Sequence, residues 1–519
     1  MTLTWSMNKP MAHGRGGIVA AQHEVAARAG AGVLARGGNA VDAAVTCALV
    51  LSVVEPWLSG IGGGGFLIRH DGKTGAAQAL DFNMVSSRNV GPAAYPLAKG
   101  RDGDWFDWPQ VAGNRNLIGA ASVCVPGAVA GLAMALESHG TLSWAQACAP
   151  AIEQAELGLE VDWFTELALT IDADNLATNA TSAALFLTDG KAPRLPEGRS
   201  SFRLAWPQMA ATLRRLAEAG WQDFYHGQIA RDIAADIADL GGPLDADDLT
   251  AYGPAWVDPL HHRRGDHTIL AMPSLSGGPA FCDALDAIPL PATPGTVTPK
   301  DFAHYADAIR RAYGKRLTTV GHAGKTGIDS GCTSHLSVVD CEGTTVSLTN
   351  TLLSRFGSKV TGARTGMLYN NGMMWFDPRP GTPNAIAPGV KPLANMCPLI
   401  LRPASGGSVA IGAAGGRQIM PALVQLAVFC LDHAMDLHTA LGLPRVDASA
   451  PRIVVDRDTP DGTLSAIRVT HDADAVENLL YPVQFAIPSA VSITAQGEMT
   501  GMVHPNHPWS AALRAEDAA

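Results

Sequence analysis

The chain has 519 residues, of which 37 are basic and 48 are acidic, so its net charge at neutral pH is −11. This negative balance argues against nucleic acids and anionic membrane surfaces as partners and leaves small molecules as the expected ligands. Charged residues make up 16% and apolar residues 47% of the sequence, which predicts one compact unit with a large core and leaves association into a homo-oligomer open.

The sequence also predicts a cytoplasmic location. Residues 1 to 13 contain no apolar core of signal-peptide length. The longest apolar stretch, Val41 to Val54, carries Asp42 and is too short to span a bilayer, so no membrane partner is expected. The eight cysteines show no CxxC spacing, so neither a zinc site nor a disulfide framework is indicated.

The first predicted elements are two helices followed by a glycine-rich turn. Glu24 to Ala35 has a helical pattern that stops at Gly37 and Gly38, and Asn39 is a capping residue for a second, apolar helix. The glycine run from 60 to 65 lies between that helix and a predicted strand, which is the reverse of the order in a dinucleotide-binding loop. Tight packing of backbone against backbone explains these glycines better.

The middle of the chain, from about residue 145 to 320, is rich in helical periodicity. The clearest predicted helices are Ala145 to Gly158, Trp206 to Ala219, Gln228 to Leu240 and Lys300 to Tyr313. The sequence has no HExxH and no GxSxG motif, so zinc-protease and α/β-hydrolase chemistry lack their signatures.

A β-hairpin is predicted next, with strands 333 to 340 and 344 to 351. A register symmetric about Glu342 places Thr333 opposite Thr351, close enough for the two hydroxyls to hydrogen-bond. The α-amino group of an N-terminal threonine can activate its own hydroxyl, which would require a cut before Thr333. Gly331 tolerates the strained backbone that such self-cleavage needs. From these residues alone, an ordinary hairpin with a Thr/Ser-rich face is the more frequent explanation.

Several blocks of sequence, in matching order, resemble the γ-glutamyltranspeptidase family of N-terminal nucleophile hydrolases. They include Gly37-Gly-Asn-Ala-Val-Asp-Ala-Ala44, Glu55-Pro-Trp-Leu-Ser-Gly-Ile-Gly-Gly-Gly-Gly-Phe66, Thr333-Ser-His-Leu-Ser-Val-Val-Asp340 and Val346-Ser-Leu-Thr-Asn-Thr351. The resemblance implies an α+β fold, a four-layer αββα sandwich, made as one precursor that cleaves itself between Cys332 and Thr333. Residues 1–332 would form a helix-rich large subunit and residues 333–519 a small subunit that begins with the nucleophile.

The resemblance also implies the mechanism. Thr333 would attack an amide carbonyl with its own α-amino group as general base, and the Thr351 hydroxyl would polarise it. The stretch from 411 to 419 predicts a strand, a glycine turn and a helix start, and its family counterpart binds the oxyanion with backbone N–H groups, here those of Gly415 and Gly416. The expected partners are a small-molecule amide and the two fragments of the precursor, and no metal or organic cofactor is needed.

The residues that bind the γ-glutamyl headgroup in the family are replaced in this chain. By resemblance, Asn83 stands in place of an arginine that grips the α-carboxylate, and Trp375 in place of an acidic residue that holds the ammonium. Leu353 replaces a polar residue, and Ala394 and Asn395 replace a pair of serines. Because unpaired buried charges cost several kcal/mol, a pocket lined by Trp375 and Leu353 would disfavour a free amino-acid headgroup.

Arg355 and Arg417 are candidates for binding an anionic substrate group, although each could equally form a structural ion pair. Arg88 is a third candidate. The leading hypothesis is an amide hydrolase or acyltransferase whose acyl group is not γ-glutamyl; oxamate-type or glutaryl-type amides would suit. One alternative is a γ-glutamyltransferase or glutathione hydrolase with a changed headgroup site. The other is a catalytically inactive homologue that serves as a binding or structural protein, against which retention of both threonines and the glycine pair argues.

Overall fold

The computed structural model describes residues 7–101, 108–323 and 332–518, and the side chain of Cys332 is not among the described groups. The strands in these ranges are β1 (Ala12–Gly14), β2 (Gly17–Ala21), β3 (Gly64–His70), β4 (Ala77–Phe82), β5 (Leu97–Arg101), β6 (Pro109–Val111), β7 (Leu159–Val161), β8 (Phe202–Leu204), β9 (Ala255–Val257), β10 (Leu260–Arg264), β11 (His267–Ala271), β12 (Cys332–Asp340), β13 (Thr345–Leu353), β14 (Leu399–Arg402), β15 (Ser408–Ala414), β16 (Val446–Asp447), β17 (Ile453–Asp456), β18 (Ala473–Val476), β19 (Ile487–Ile493), β20 (Met499–Val503) and β21 (Ala511–Arg514).

The helices in the same ranges are α1 (Glu24–Ala35), α2 (Ala40–Val54), α3 (Ala128–His139), α4 (Trp144–Leu157), α5 (Trp163–Leu176), α6 (Ala180–Phe186), α7 (Pro207–Ala219), α8 (Asp223–His226), α9 (Gln228–Asp239), α10 (Ala246–Thr250), α11 (Gly278–Asp286), α12 (Pro299–Thr319), α13 (Ile419–Leu431), α14 (Leu437–Gly442) and α15 (Thr463–Arg468). Among these helices, none is both long enough and apolar enough to cross a membrane.

Two antiparallel sheets of seven described strands each organise the fold. The hairpin sheet has the order β21-β2-β12-β13-β3-β4-β9, and the second sheet has the order β1-β20-β19-β15-β14-β11-β10. The hairpin β12–β13 therefore lies at the centre of its sheet. On one side it pairs with β2 and on the other with β3, and both of these strands come from the first part of the chain.

The two sheets face each other and carry helices on their outer sides. One apolar cluster joins the hairpin sheet to helices that include α1, α2 and α3. Another joins the second sheet to α11, α12 and α13, and a third lies between the two sheets. These are two antiparallel sheets flanked by helices, which is an α+β fold, as the family resemblance implied.

Polar side chains of the hairpin link the two sheets. Ser347 Oγ donates to the backbone oxygen of Ile411 at 3.0 Å. The fully buried ring of His335 has Thr349 Oγ1 3.0 Å from Nδ1 and Ser337 Oγ 2.9 Å from Nε2. Burial lowers the pKa of His335 to about 3, so the ring is neutral at pH 7 and uses both nitrogens to bind hydroxyls.

The glycine run after α2 confirms the prediction of close backbone packing. A Cβ atom on Gly63 would lie 2.0 Å from the carbonyl oxygen of Thr351, and one on Gly65 would lie 2.1 Å from that of Thr349. Similarly, a Cβ on Gly62 would lie 2.1 Å from the oxygen of Leu368. These glycines allow the chain to run directly against the strand that carries Thr351.

The hairpin register agrees with the prediction from the turn as far as Ser334, the residue that follows the expected nucleophile. Ser334 pairs with Asn350 and His335 with Thr349, as a centre at Glu342 requires. The register then shifts, because Cys332 pairs with Leu353, so two residues of β13 oppose the single residue Thr333. The predicted direct opposition of Thr333 and Thr351 is therefore corrected to a β-bulge at this point.

Substitution of Gly412 by alanine is expected to destabilise the interface between the sheets. A Cβ at Gly412 would lie 2.3 Å from the imidazole carbon Cε1 of His335, which is enclosed and held by two hydroxyls. Overpacking of this kind costs about 1–3 kcal/mol in the free energy of unfolding. Chemical denaturation of Gly412→Ala measures it, with Gly253→Ala as control because a Cβ there has no neighbour within 4 Å. Equal stability of the two variants would contradict the packing described here.

Candidate active site

A cleft of about 720 Å³, including the part open to solvent, brings Thr333 and Gly415 together. Its other described lining residues are mostly apolar, and none of them is an aspartate or a glutamate. They are Trp57, Leu58, Phe164, Leu167, Ala168, Ile171, Arg355, Ala414, Gln418, Leu480, Tyr481, Val483, Ile487 and His507.

One wall of the cleft is a face of α5, a helix that the sequence reasoning missed. Phe164, Leu167, Ala168 and Ile171 line the cleft, and their spacing places them on one side of the helix. Asp162 caps the helix by accepting from the backbone N–H groups of the second and third residues after it. The apolar spacing and the aspartate cap are both visible in the sequence and could have identified this helix.

Thr333 is fully buried on β12, opposite the bulge in β13. Across from it, Thr351 Oγ1 accepts from the backbone N–H of Leu353 at 2.8 Å, which fixes the hydroxyl oxygen near the end of β13. Asn350 Oδ1 accepts from the backbone N–H of Thr351 at 2.9 Å. Residues 324–331, including the run from Asp329 to Gly331 on which the cleavage prediction rests, lie outside the described residues.

The glycine turn has the predicted form, in which β15 ends at Ala414 and α13 begins at Ile419. Gly415 has φ 135° and Gly416 has φ 60°, and both lie in the region that side chains disfavour. A Cβ on Gly415 would also lie 2.7 Å from the Cα of Ala486. Gly415 lines the cleft, whereas Gly416 is not among the described lining residues. The role of their backbone N–H groups in stabilising a negative charge on a carbonyl oxygen stays a prediction.

Arg355 is a predicted residue that does line the cleft. Its Nε donates to Asp172 Oδ2 at 2.7 Å, and the buried Lys359 places its Nζ 3.4 Å from the other oxygen of Asp172. Asp172 is thus shared by two cations and helps to hold the Arg355 side chain at the end of α5. Leu353, two residues earlier and the last residue of β13, has φ 84°, a left-handed conformation that side chains rarely adopt.

The other predicted headgroup positions lie outside the cleft lining. Leu353, Trp375 and Ala394 are fully buried in the apolar cluster between the two sheets. Asn83 is also fully buried, and its Nδ2 donates to the backbone oxygen of Pro392 at 3.1 Å. A role for these four residues in substrate binding stays a prediction. Their burial explains why apolar or neutral side chains occupy these four positions.

Asn395 and Arg417 are held by neighbours on the second-sheet side. Asn395 Oδ1 accepts from Arg316 Nη2 at 3.3 Å. Arg417 Nε donates to Ser449 Oγ at 3.2 Å, and its guanidinium lies over the ring of Tyr313 at 6.0 Å. Neither residue lines the cleft described above. Of the three arginine candidates, Arg88, Arg355 and Arg417, Arg355 is the one that lines the described cleft together with Thr333.

The comparison with protein families covers nearly the whole chain. A family model described as Gamma-glutamyltranspeptidase matches residues 26–324 and 319–505. The chain belongs to the γ-glutamyltranspeptidase family. This family member retains, in one cleft, the first threonine of the hairpin and a glycine of the turn.

Relatives of this γ-glutamyltranspeptidase-family member include two kinds of named hydrolase. The chain is 30% identical to the Acylase ACY 1 proenzyme of Pseudomonas sp. (strain SE83) over 500 residues, which cover 89% of this chain and 88% of that protein. It is 28% identical to the Glutathione hydrolase proenzyme of Bacillus subtilis (strain 168) over 490 residues, covering 83% and 81%. The cephalosporin acylase from Bacillus halodurans has the same fold, with a TM-score of 0.87, 22% identity and 99% and 98% coverage.

Two cleft-associated groups escaped the sequence reasoning. His507 lines the cleft, and its Nε2 lies 3.1 Å from Oε1 of the fully buried Glu55. Glu55 belongs to the block Glu55 to Phe66, in which the sequence analysis gave no residue a catalytic or binding role. His507 lies in the segment His504-Pro-Asn-His507, which contains no recognised catalytic motif. Their proximity depends on long-range folding, so spacing along the chain could not have shown it.

Proposed function

We propose that this protein is a self-processing amide hydrolase or acyltransferase that uses Thr333 as its nucleophile and releases an acyl group other than γ-glutamyl. The observation that carries the proposal is the cleft itself, which joins Thr333 and Gly415 to a mostly apolar wall and the guanidinium of Arg355. A γ-glutamyl group would bring an ammonium into a cleft whose described lining contains no carboxylate.

In the proposed reaction, self-cleavage comes first. The Thr333 hydroxyl attacks the carbonyl carbon of Cys332, the peptide bond shifts to an ester, and water hydrolyses that ester to free the α-amino group of Thr333. That amino group then serves as the general base when the same hydroxyl attacks an amide substrate. The N–H groups of Gly415 and Gly416 stabilise the oxyanion, and the Thr351 hydroxyl polarises the nucleophile. The C–N bond of the amide then breaks, the substrate amine leaves with the proton held by the α-amino group, and water or a second amine takes the acyl group from Thr333.

A glutaryl-type acyl group fits the cleft on two counts. Its chain is apolar, as is most of the lining, and its distal carboxylate suits the planar donors of Arg355. The similarity to proteins named acylases, including a cephalosporin acylase, gives further support. An oxamate-type amide places its carboxylate directly beside the scissile carbonyl and is the smaller variant of this class.

The proposal includes the organisation of the mature protein. The two facing sheets and their outer helices would be the four-layer αββα sandwich, with residues 1–332 and 333–519 as the separate chains of one catalytic unit. The proenzyme names of relatives support a precursor that becomes two fragments. A cytoplasmic location is a proposal that rests on the sequence alone.

The test is a matched pair of chromogenic amides, glutaryl-p-nitroanilide and γ-glutamyl-p-nitroanilide, which differ by the α-ammonium alone. We expect kcat/KM to favour the glutaryl amide by about 100-fold, since an unpaired ammonium in the cleft costs on the order of 3 kcal/mol. The uncharged valeryl-p-nitroanilide is the control for the distal carboxylate. Faster turnover of the γ-glutamyl amide would support a glutathione hydrolase instead, and no turnover by an uncleaved chain would support an inactive homologue.

A further inference from the structure

Glu55 and His507 form a buried polar pair beside the expected nucleophile. Glu55 follows the last residue of α2 and is fully buried. Its Oε2 accepts from the hydroxyl of Ser334, the residue after Thr333, at 3.1 Å. Its Oε1 lies 3.1 Å from Nε2 of His507. The carboxylate thus connects the strand of Thr333 with a side chain of the cleft wall.

The His507 ring has hydrogen-bonding capacity that the described residues do not use. Its side chain is 2% exposed, and neither ring nitrogen has a hydrogen-bond partner among those residues. The contact with Glu55 has the distance of an ion pair, but the ring is not oriented for a hydrogen bond to that oxygen. A buried polar group without a partner destabilises the protein, so a ligand atom that forms a hydrogen bond with a ring nitrogen would bind more tightly.

The position of His507 relative to α5 gives the cleft two polar ends. Its ring meets that of Phe164 edge-on, with 5.5 Å between the ring centres, at the beginning of α5. Arg355 is held by Asp172, eight residues later on the same helix, which corresponds to about 12 Å along the axis. Between the two ends the helix presents Leu167, Ala168 and other apolar residues to the cleft.

We propose that His507, positioned by Glu55, forms a subsite for the leaving amine of the substrate and binds a neutral hydrogen-bonding group on it. The inference rests on the proposed function, which puts the acyl carboxylate at Arg355 and leaves the opposite end of α5 for the amine. The substrate class is then an amide with a carboxylate on its acyl side and, on its amine side, an apolar or aromatic body that ends in a carbonyl or carboxamide.

The carboxylate of Glu55 is the reason why we expect the substrate group that binds His507 to be neutral. The carboxylate oxygen Oε1 lies 3.1 Å from Nε2 of the ring, so a substrate anion at His507 would meet a buried negative charge at short range. Neither a carbonyl nor a carboxamide carries a net charge. Both can accept from a ring N–H, and the carboxamide can also donate to an unprotonated ring nitrogen. Glu55 is not among the described lining residues and is a positioning residue. Its Oε1 contacts Nε2 of His507 at 3.1 Å, and its Oε2 accepts from Ser334 at the start of the hairpin strand.

The experiment compares two glutaryl amides of similar shape, those of 4-aminobenzamide and 4-isopropylaniline. The ratio of their kcat/KM values in each variant is divided by the ratio in the wild type, which removes their different intrinsic reactivity. His507→Leu is expected to lower the relative preference for the carboxamide by about 3- to 10-fold, the effect of one lost hydrogen bond. His507→Gln, which retains an amide, should keep part of the preference, and Glu55→Gln should lower it less than His507→Leu does.

His471→Gln is the matched control, because His471 pairs with Asp307 at 2.6 Å and does not line the cleft. An unchanged ratio in His507→Leu, while both amides are still hydrolysed, overturns this inference and leaves the proposed function intact. Should neither amide be hydrolysed, the proposed function fails and calorimetric binding of the two free amines still decides the inference. Wild-type protein must then bind 4-aminobenzamide more tightly relative to 4-isopropylaniline than His507→Leu does, and equal relative affinities reject the subsite.

Discussion

Thr333→Ala is expected to give a single uncleaved chain without amidase activity. The substitution removes the hydroxyl that the proposed mechanism uses twice, first on the preceding peptide bond and then on the substrate. Loss of an enzyme nucleophile lowers kcat by at least about 10⁴-fold. Intact-mass spectrometry measures the cleavage, and glutaryl-p-nitroanilide measures the activity.

Two variants separate chemistry from damage to the hairpin. Thr333→Ser keeps a hydroxyl and should retain cleavage and part of the activity. Thr345→Ala removes a fully buried hydroxyl from the other strand of the hairpin and should leave cleavage unchanged. Two fragments split before residue 333 in the Thr333→Ala protein would disprove the nucleophile assignment.

Gly415→Ala is expected to lower kcat by about 10²- to 10³-fold, the usual effect of losing an oxyanion donor. A side chain at this position meets two obstacles, a φ of 135° and the Cα of Ala486 at 2.7 Å. The turn must therefore move, and its backbone N–H groups move with it. Because those groups act on the charge that develops in the transition state, KM should change less than kcat.

Gly406→Ala is the matched control for the glycine turn. Gly406 has φ 90°, and a Cβ there would lie 3.0 Å from the Cβ of Ala495, so the substitution introduces a similar backbone strain. The residue lies between β14 and β15, at the opposite end of β15 from Gly415, and does not line the cleft. A loss of activity in Gly406→Ala as large as that in Gly415→Ala would show that general destabilisation explains both.

The sequence predicted the local parts of this fold well because their signals are local. Helix α1 has the predicted bounds, and Asn39 caps α2 through hydrogen bonds to two backbone N–H groups. Helix α4 is displaced by one residue at each end from its predicted range, and α12 continues six residues further than predicted. Each of these depends on apolar spacing and on capping residues within a few positions of one another.

The active-site cleft was harder to predict because its walls meet only in the folded chain. The bulge at Thr333 could not be read from a symmetric hairpin, since β-strand register near a strand end depends on the neighbouring strands. The wall made by α5 and the contact of Glu55 with His507 join segments that are far apart in sequence. Headgroup positions taken over from the family, such as Trp375, lie instead in the packed layer between the sheets.

The strand order determines how the two parts of the chain can assemble and how the protein can be inactivated by heat. If the chain is cut before Thr333, β12 and β13 of one product remain inserted between β2 and β3 of the other, and β11 remains paired with β14 across the cut in the second sheet. The fragments cannot separate without opening both sheets. Once separated, they would have to reassociate in a bimolecular step whose rate depends on their concentration, whereas the uncut precursor folds as one chain. If that cut occurs, the peptide bond before Thr333 joins the two parts of the chain only while the protein folds. After it is gone, thermal inactivation should be irreversible, and the half-life should follow the unfolding rate.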